Sequence, residues 1–101
     1  MPLEIQAKRG SVALIGEMNI YTAREAAERL LLLLRDAKSP AVNLAQISEF
    51  DCSGLQVLLM ARREAVASGK ELKILQVSAS VRDALDLLQC DELRSQIRSA
   101  A

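Results

Sequence analysis

Histidine and tryptophan are absent from the 101 residues, and one tyrosine and one phenylalanine make up the whole aromatic complement. Without histidine no Ser-His or Cys-His nucleophile pair can be built, and the commonest general base is missing. Zinc would need two cysteines and carboxylates, with no CxxC spacing to bring them together, so neither a metal nor a cofactor is expected. Cys52 and Cys90 are read as free thiols in a reducing compartment. An excess of one charge is also lacking: 13 Lys and Arg balance 13 Asp and Glu, and no basic stripe supports a nucleic-acid partner. The longest apolar run, Leu30 to Leu34, falls far short of the roughly 20 residues that span a bilayer. Met1-Pro2-Leu3-Glu4 shows no signal-peptide pattern, so a cytoplasmic location without membrane insertion is expected.

What the chain does have is aliphatic side chains in two periodicities. Apolar residues form 50% of it, enough for one modest core and a single domain over residues 1–101. Leu3 to Ala7 and Ser11 to Ile15 read as strands joined as a hairpin through Arg9-Gly10. Thr22, with Glu25 three residues on, reads as a capping box opening a helix that runs to about Ala37. Ala23, Ala26, Ala27, Leu30, Leu33, Leu34 and Ala37 share its inner face, while Leu32 falls among Glu25, Glu28, Arg35 and Asp36.

A short strand is expected over Ala41 to Leu44, with Ile47 and Phe50 continuing the apolar signal toward Asp51. A second helix from about Ser53 to Ser68, stopped by Gly69, is expected to bury Leu55, Leu58, Leu59 and Val66. Gln56, Met60, Arg63 and Ala67 would then point outward. Glu71 to Val77 reads as a strand. Ser80 caps a third helix with Val81, Ala84, Leu85 and Leu88 inward, and a short helix follows near Asp91 to Arg98. This order predicts an α/β fold: a mixed sheet of four to five strands, parallel at its centre, with three to four helices packed on it.

Phe50-Asp51-Cys52-Ser53-Gly54-Leu55 is the segment richest in chemistry. It lies where a strand hands over to a helix, and unpaired N–H groups with the helix dipole favour an anion there by about 0.3–1 kcal/mol. A phosphate on Ser53 would be accommodated. Gly54 would leave the hydroxyl uncrowded, and Asp51 would repel the phosphate, so the two states would present different surfaces. The same residues also read as an ordinary helix start, with Asp51 or Ser53 as N-cap and Cys52 as small core filler. A thiol at a helix N-terminus is in addition a candidate redox sensor.

Val42-Asn43-Leu44-Ala45-Gln46-Ile47, followed by Phe50 to Leu55, resembles the STAS family's apolar strand and D-[ST]-[ST]-G-L element. Gly16-Glu17-Met18-Asn19 is similar to its G-E-L-D. Ser78 to Leu85 with Asp91-Glu92-Leu93 resembles its S-P-x-V-x-x-L-L…G-L-D-x-L close. The resemblance covers roughly residues 12 to 93. It implies a bacterial anti-sigma-factor antagonist: a non-enzymatic protein switch in signal transduction and transcription regulation, acting as a monomer or weak dimer. An anti-sigma serine kinase would phosphorylate Ser53, and a phosphatase would reverse the step. Asn19, Asp51, Cys52, Gly54, Leu55, Gln56, Met60 and Arg63 would meet the partner, and about −1.5 to −2 added charges would block docking.

Three departures stand out. Cys52 occupies the first hydroxyl position of the motif, Asn19 replaces the acidic residue of G-E-L-D, and Gln89 stands where glycine usually ends the third helix. The resemblance also implies an alternative, a STAS adaptor without phosphotransfer in a chemotaxis array or a lipid-transport ATPase complex. Ile20-Tyr21-Thr22-Ala23 resembles chemotaxis-linked members. A nucleotide-binding module lacks the Gly-rich phosphate loop it would need.

Overall fold

Strict alternation over Ser11–Met18 makes β2 the frame of the sheet: Val12, Leu14, Gly16 and Met18 are buried and the residues between them half-covered. The computed structural model describes residues 3–8 and 10–97. β1 (Glu4–Lys8) pairs antiparallel with β2, Lys8 opposite Ser11, and Gly10 turns the chain at φ +76°. Arg9, the other residue of that expected turn, lies outside the described residues. β3 (Ala41–Phe50) lies parallel to β2, and β4 (Lys73–Val77) parallel to β3, in the order β1-β2-β3-β4. Helices α1 (Ala23–Leu34) and α2 (Cys52–Ala67) make the parallel connections, and α3 (Ala79–Leu87) and α4 (Asp91–Arg94) follow. The mixed α/β sheet expected from the element order is the sheet observed.

β3 is a ten-residue strand where alternation alone predicted only Ala41 to Leu44. After Ala41, its buried apolar residues, Val42, Leu44, Ile47 and Phe50, drift from a spacing of two to a spacing of three. Two bulges cause the drift. Between Ala13 and Ile15, and again between Gly16 and Glu17, β3 carries one more residue than β2, and each extra residue returns the next apolar side chain to the core. Polar side chains serve the backbone at both places: Asn43 Oδ1 accepts the Ala45 N–H at 2.9 Å, and the Ser48 hydroxyl donates to the Gly16 carbonyl at 3.1 Å.

α1 stops at Leu34, not near Ala37, and Thr22 makes no side-chain cap to it. On α2 the buried residues are Gly54, Val57, Leu58, Ala61 and Ala65, whereas Val66, expected inside, is exposed. The inner face is turned because α1 packs against α2, and small Ala61 and Ala65 let the two helices approach. Gly69 at φ +76° closes α2, with Gly69 N–H on the Val66 carbonyl and Lys70 N–H on that of Ala65. The cap of α3 is Ser78, whose hydroxyl accepts the Val81 N–H at 3.3 Å. Ser80, expected in that role, instead donates to the Ser48 carbonyl at 3.0 Å and ties α3 to the second bulge of β3. Leu88, expected inside, is 39% exposed, and α4 ends at Arg94; Arg98, the expected limit, lies outside the described residues.

The core runs as one cluster from Val12, Leu14 and Met18 through Leu30, Leu44, Ile47, Leu58, Ile74 and Leu85 to Leu93. Each such side chain contributes about 1.5–3 kcal/mol by leaving water. Arg62 and Arg63 of α2 both pair with Glu92, which fastens α4 to the same layer.

Candidate functional site

Parallel strands deliver their C-terminal ends, and the loops after them, to one edge of the sheet. β2 and β3 end side by side, Met18 opposite Phe50. Their junction is tight: Asp51 N–H donates to the Met18 carbonyl at 3.2 Å. A Cβ on Gly54 would sit 2.9 Å from that carbonyl oxygen and 2.9 Å from Phe50 Cδ1 and Cε1. Glycine is therefore required by the packing of α2 onto the end of β2.

Asp51 is the N-cap of α2. Its Oδ1 accepts the backbone N–H of Ser53 at 2.8 Å and of Gly54 at 3.3 Å. The sequence presents these donors as a seat for a phosphate, but the protein's own carboxylate already occupies them. Cys52, in the first turn, is exposed and not core filler, and it is a free thiol. Ser53 is half-buried, and Leu55 packs partly against the core. Cys90 is also free and packs against the core edge.

Across the junction, Asn19 is 7% exposed and organises the β2–α1 turn. Its Nδ2 donates to Glu49 Oε1 at 2.7 Å and to Glu17 Oε1 at 3.4 Å, two carboxylates that face each other on adjacent strands. Its Oδ1 accepts the Tyr21 N–H at 2.9 Å, and its own N–H donates to Thr22 Oγ1 at 3.0 Å. The Thr22 hydroxyl donates to the Glu17 carbonyl at 2.8 Å, so it holds the turn instead of capping α1. Asparagine at this position has a physical reason: its amide joins two carboxylates that an aspartate would repel.

Asn19, Asp51, Cys52, Ser53 and Gly54 thus meet at one mouth. Gln56, Met60 and Arg63 run away from it along the outer face of α2, around a shallow depression shared with Leu59 and Glu64. Met60 is half-buried and Arg63 exposed beside Glu92. Glu49 was missed as a member of the site because the bulges hide its register with Glu17. Among the described residues no group of three or more His, Cys, Asp or Glu could hold a metal, and no helix is long and apolar enough to cross a membrane.

A family model described as "Mlab, STAS domain" matches residues 1–97. The chain belongs to the STAS domain family. Among solved structures, the anti-sigma factor antagonist SpoIIAA in its unphosphorylated form is similar at a TM-score of 0.74 and 19% identity, over 98% of this chain and 88% of that one. The Bacillus cell-fate determinant SpoIIAA in the phosphorylated form is similar at 0.69 and 19%, over 98% and 91%. An anti-sigma factor antagonist from Mycobacterium paratuberculosis follows at 0.73 and 15%, over 96% and 82%. No curated protein matches the chain. At these identities the structures establish a shared STAS fold.

Proposed function

We propose that this STAS domain is a non-enzymatic regulator that docks a protein partner at the mouth between the β2–α1 turn and the start of α2. Ser53 is the residue at which a phosphate controls that docking. The donor is an anti-sigma-type serine kinase using ATP, and a phosphatase removes the group. The observation that carries the reading is the Asp51 cap, whose carboxylate lies on the Ser53 and Gly54 N–H groups. A phosphoserine at 53 competes with Asp51 for those donors, displaces the cap and places a dianion in what must become a dry interface. Docking is lost through the altered helix start and the cost of desolvating the new charge. Incubating the chain with serine kinases encoded near its gene and ATP, then measuring intact mass, tests this. One added phosphate mapped to Ser53 supports the switch, and an unmodified mass with every kinase contradicts it.

A second reading, the STAS adaptor without phosphotransfer, is favoured by one specific observation. The exposed side chain beside Asp51 is the thiol of Cys52, where the resembling motif carries a hydroxyl. In that case the same mouth holds its partner permanently, as a subunit of a chemotaxis array or a transport ATPase.

A further inference from the structure

Of the sheet's two outer edges the chain covers one itself. Along β4, Ile74 N–H donates to the Gln96 carbonyl at 2.9 Å, and Ile74 pairs with Ile97. β1 forms the other edge, and among the described residues nothing pairs with its outer side. The hairpin decides which of its backbone groups are left over. Lys8 and Ser11 flank a two-residue connection and close it as a hydrogen-bonded pair, and Gln6 with Ala13 and Glu4 with Ile15 repeat that pairing. The N–H and C=O groups of Ile5 and Ala7 therefore point away from β2.

The side chains on this edge follow a simple pattern. Glu4, Gln6 and Lys8 share one face and are all exposed, while Ile5 packs against the core from the other. Glu4 Oε2 accepts from the Gln6 amide at 2.7 Å, a neutral donor that leaves the carboxylate's charge in place. Among the described residues no ion pair holds Lys8. Opposite them on β2 stand Ile15, Ala13 and Ser11, all uncharged, and the next charge along that strand, Glu17, faces Asn19. Arg9, next in sequence, has the sign of Lys8. An acid and a base thus flank Gln6 symmetrically.

We infer that β1 is a self-association edge whose occupant is the β1 strand of a second copy of this chain, antiparallel across a twofold axis at Gln6. In that register Ile5 faces the second copy's Ala7 and Ala7 its Ile5, so the outward N–H and C=O groups of both strands pair in about four bonds. Glu4 meets Lys8 twice, at non-hydrogen-bonded positions where opposite side chains lie closest. Sliding the strands by two residues matches backbone groups again but sets Glu4 or Lys8 against Gln6, so the charges choose the register. Charges on an edge commonly keep it single, and parallel pairing would indeed set Glu4 on Glu4 and Lys8 on Lys8. The antiparallel pair is the arrangement they permit. It uses up the free edge of each copy, so assembly stops at two. Five-residue strands bury little surface, which makes the dimer weak and dependent on concentration. No residue of the docking mouth takes part, and each dimer carries two mouths.

The test follows sedimentation of the full chain from about 10 µM to 1 mM for wild type, Lys8→Glu, Glu4→Lys, the double exchange of both, and Lys38→Glu, an exposed control with the same net charge as Lys8→Glu. Wild type is expected to dimerise with a dissociation constant at or below about 1 mM. Each single exchange at 4 or 8 sets two like-charge pairs across the axis and weakens association at least about tenfold, while the double exchange returns to within about threefold of wild type. Lys38→Glu associates as wild type does. The Gln6→Cys chain, treated with a mild oxidant, gives a disulfide that peptide mapping places between the two copies of residue 6, because their Cα atoms lie about 4.5 Å apart in this register. A wild-type chain still monomeric at about 1 mM, a Lys8→Glu chain that associates like wild type or loses no more than Lys38→Glu, a double exchange as weak as the single ones, or no disulfide between the two copies of residue 6 overturns the inference.

Discussion

Asp51 Oδ1 and the backbone nitrogen of Ser53 are 2.8 Å apart, and through this bond the residue before the helix fixes the geometry of the residue proposed to be modified. Asp51→Ala leaves the Ser53 and Gly54 N–H groups to water and is expected to cost about 1 kcal/mol of stability, with Asp51→Asn close to wild type. Urea unfolding monitored by circular dichroism gives both values. An Asp51→Ala chain as stable as wild type would show that the cap contributes nothing.

Gly54→Ala forces a methyl group to within 2.9 Å of the Met18 carbonyl and the Phe50 ring. The clash moves backbone, so a loss of about 1–3 kcal/mol is expected, read as a fall in the urea midpoint. Ala at a helix position would otherwise stabilise by up to about 1 kcal/mol over Gly, so the sign of the change separates crowding from propensity.

Asn19→Asp replaces a donor that joins Glu17 and Glu49 with a third carboxylate. The folded variant is expected to lose about 2 kcal/mol or more at pH 7, as buried hydrogen bonds are exchanged for like charge. Crowding raises the new carboxyl's folded pKa above its unfolded value, so protonation favours the folded form. The deficit relative to wild type therefore shrinks as pH falls from 7 toward 4. Thermal melts across that range check this; a deficit that stays constant or grows would show that charge is not the cause.

Gln89 has φ +51° and ends α3: its N–H meets the Asp86 carbonyl and the Cys90 N–H that of Leu85, the same closure that Gly69 gives α2. A side chain in this left-handed conformation costs about 1 kcal/mol. Gln89→Gly is expected to raise stability by about 0.5–1 kcal/mol, or a few degrees in melting temperature. A lower melting point would show that the glutamine side chain makes a contact worth more than the strain.

The order of elements and the parallel centre of the sheet were legible because the periodicity of β2 and most of α1 carries their burial directly, and α2 is bounded by clear start and stop residues. The chemical segment was also legible, since Asp51-Cys52-Ser53-Gly54 does lie at a strand-to-helix junction. What escaped was set by contacts distant in sequence. The far half of β3 was hidden by bulges that break alternation, and with it the pairing of Glu17 with Glu49. Ser80 looks like a cap but reaches back to Ser48, 32 residues away, while Ser78 caps the helix. Gly54 reads from sequence only as clearance for its neighbour's hydroxyl, and its close approach to the carbonyl of Met18 and the Phe50 ring comes from contacts the sequence does not show. Val66 fits the apolar period of α2, yet the approach of α1 onto Ala61 and Ala65 turns that face away from it.

Amide hydrogen exchange of the chain, free and bound to its partner, tests the docking mouth most directly. The account predicts new protection concentrated in residues 19–23 and 51–56, where the Asn19 turn meets the start of α2. Protection centred on Leu31 to Leu33 or on Leu87 and Leu88, with the amides of Tyr21 and Ser53 exchanging as in the free chain, would contradict it.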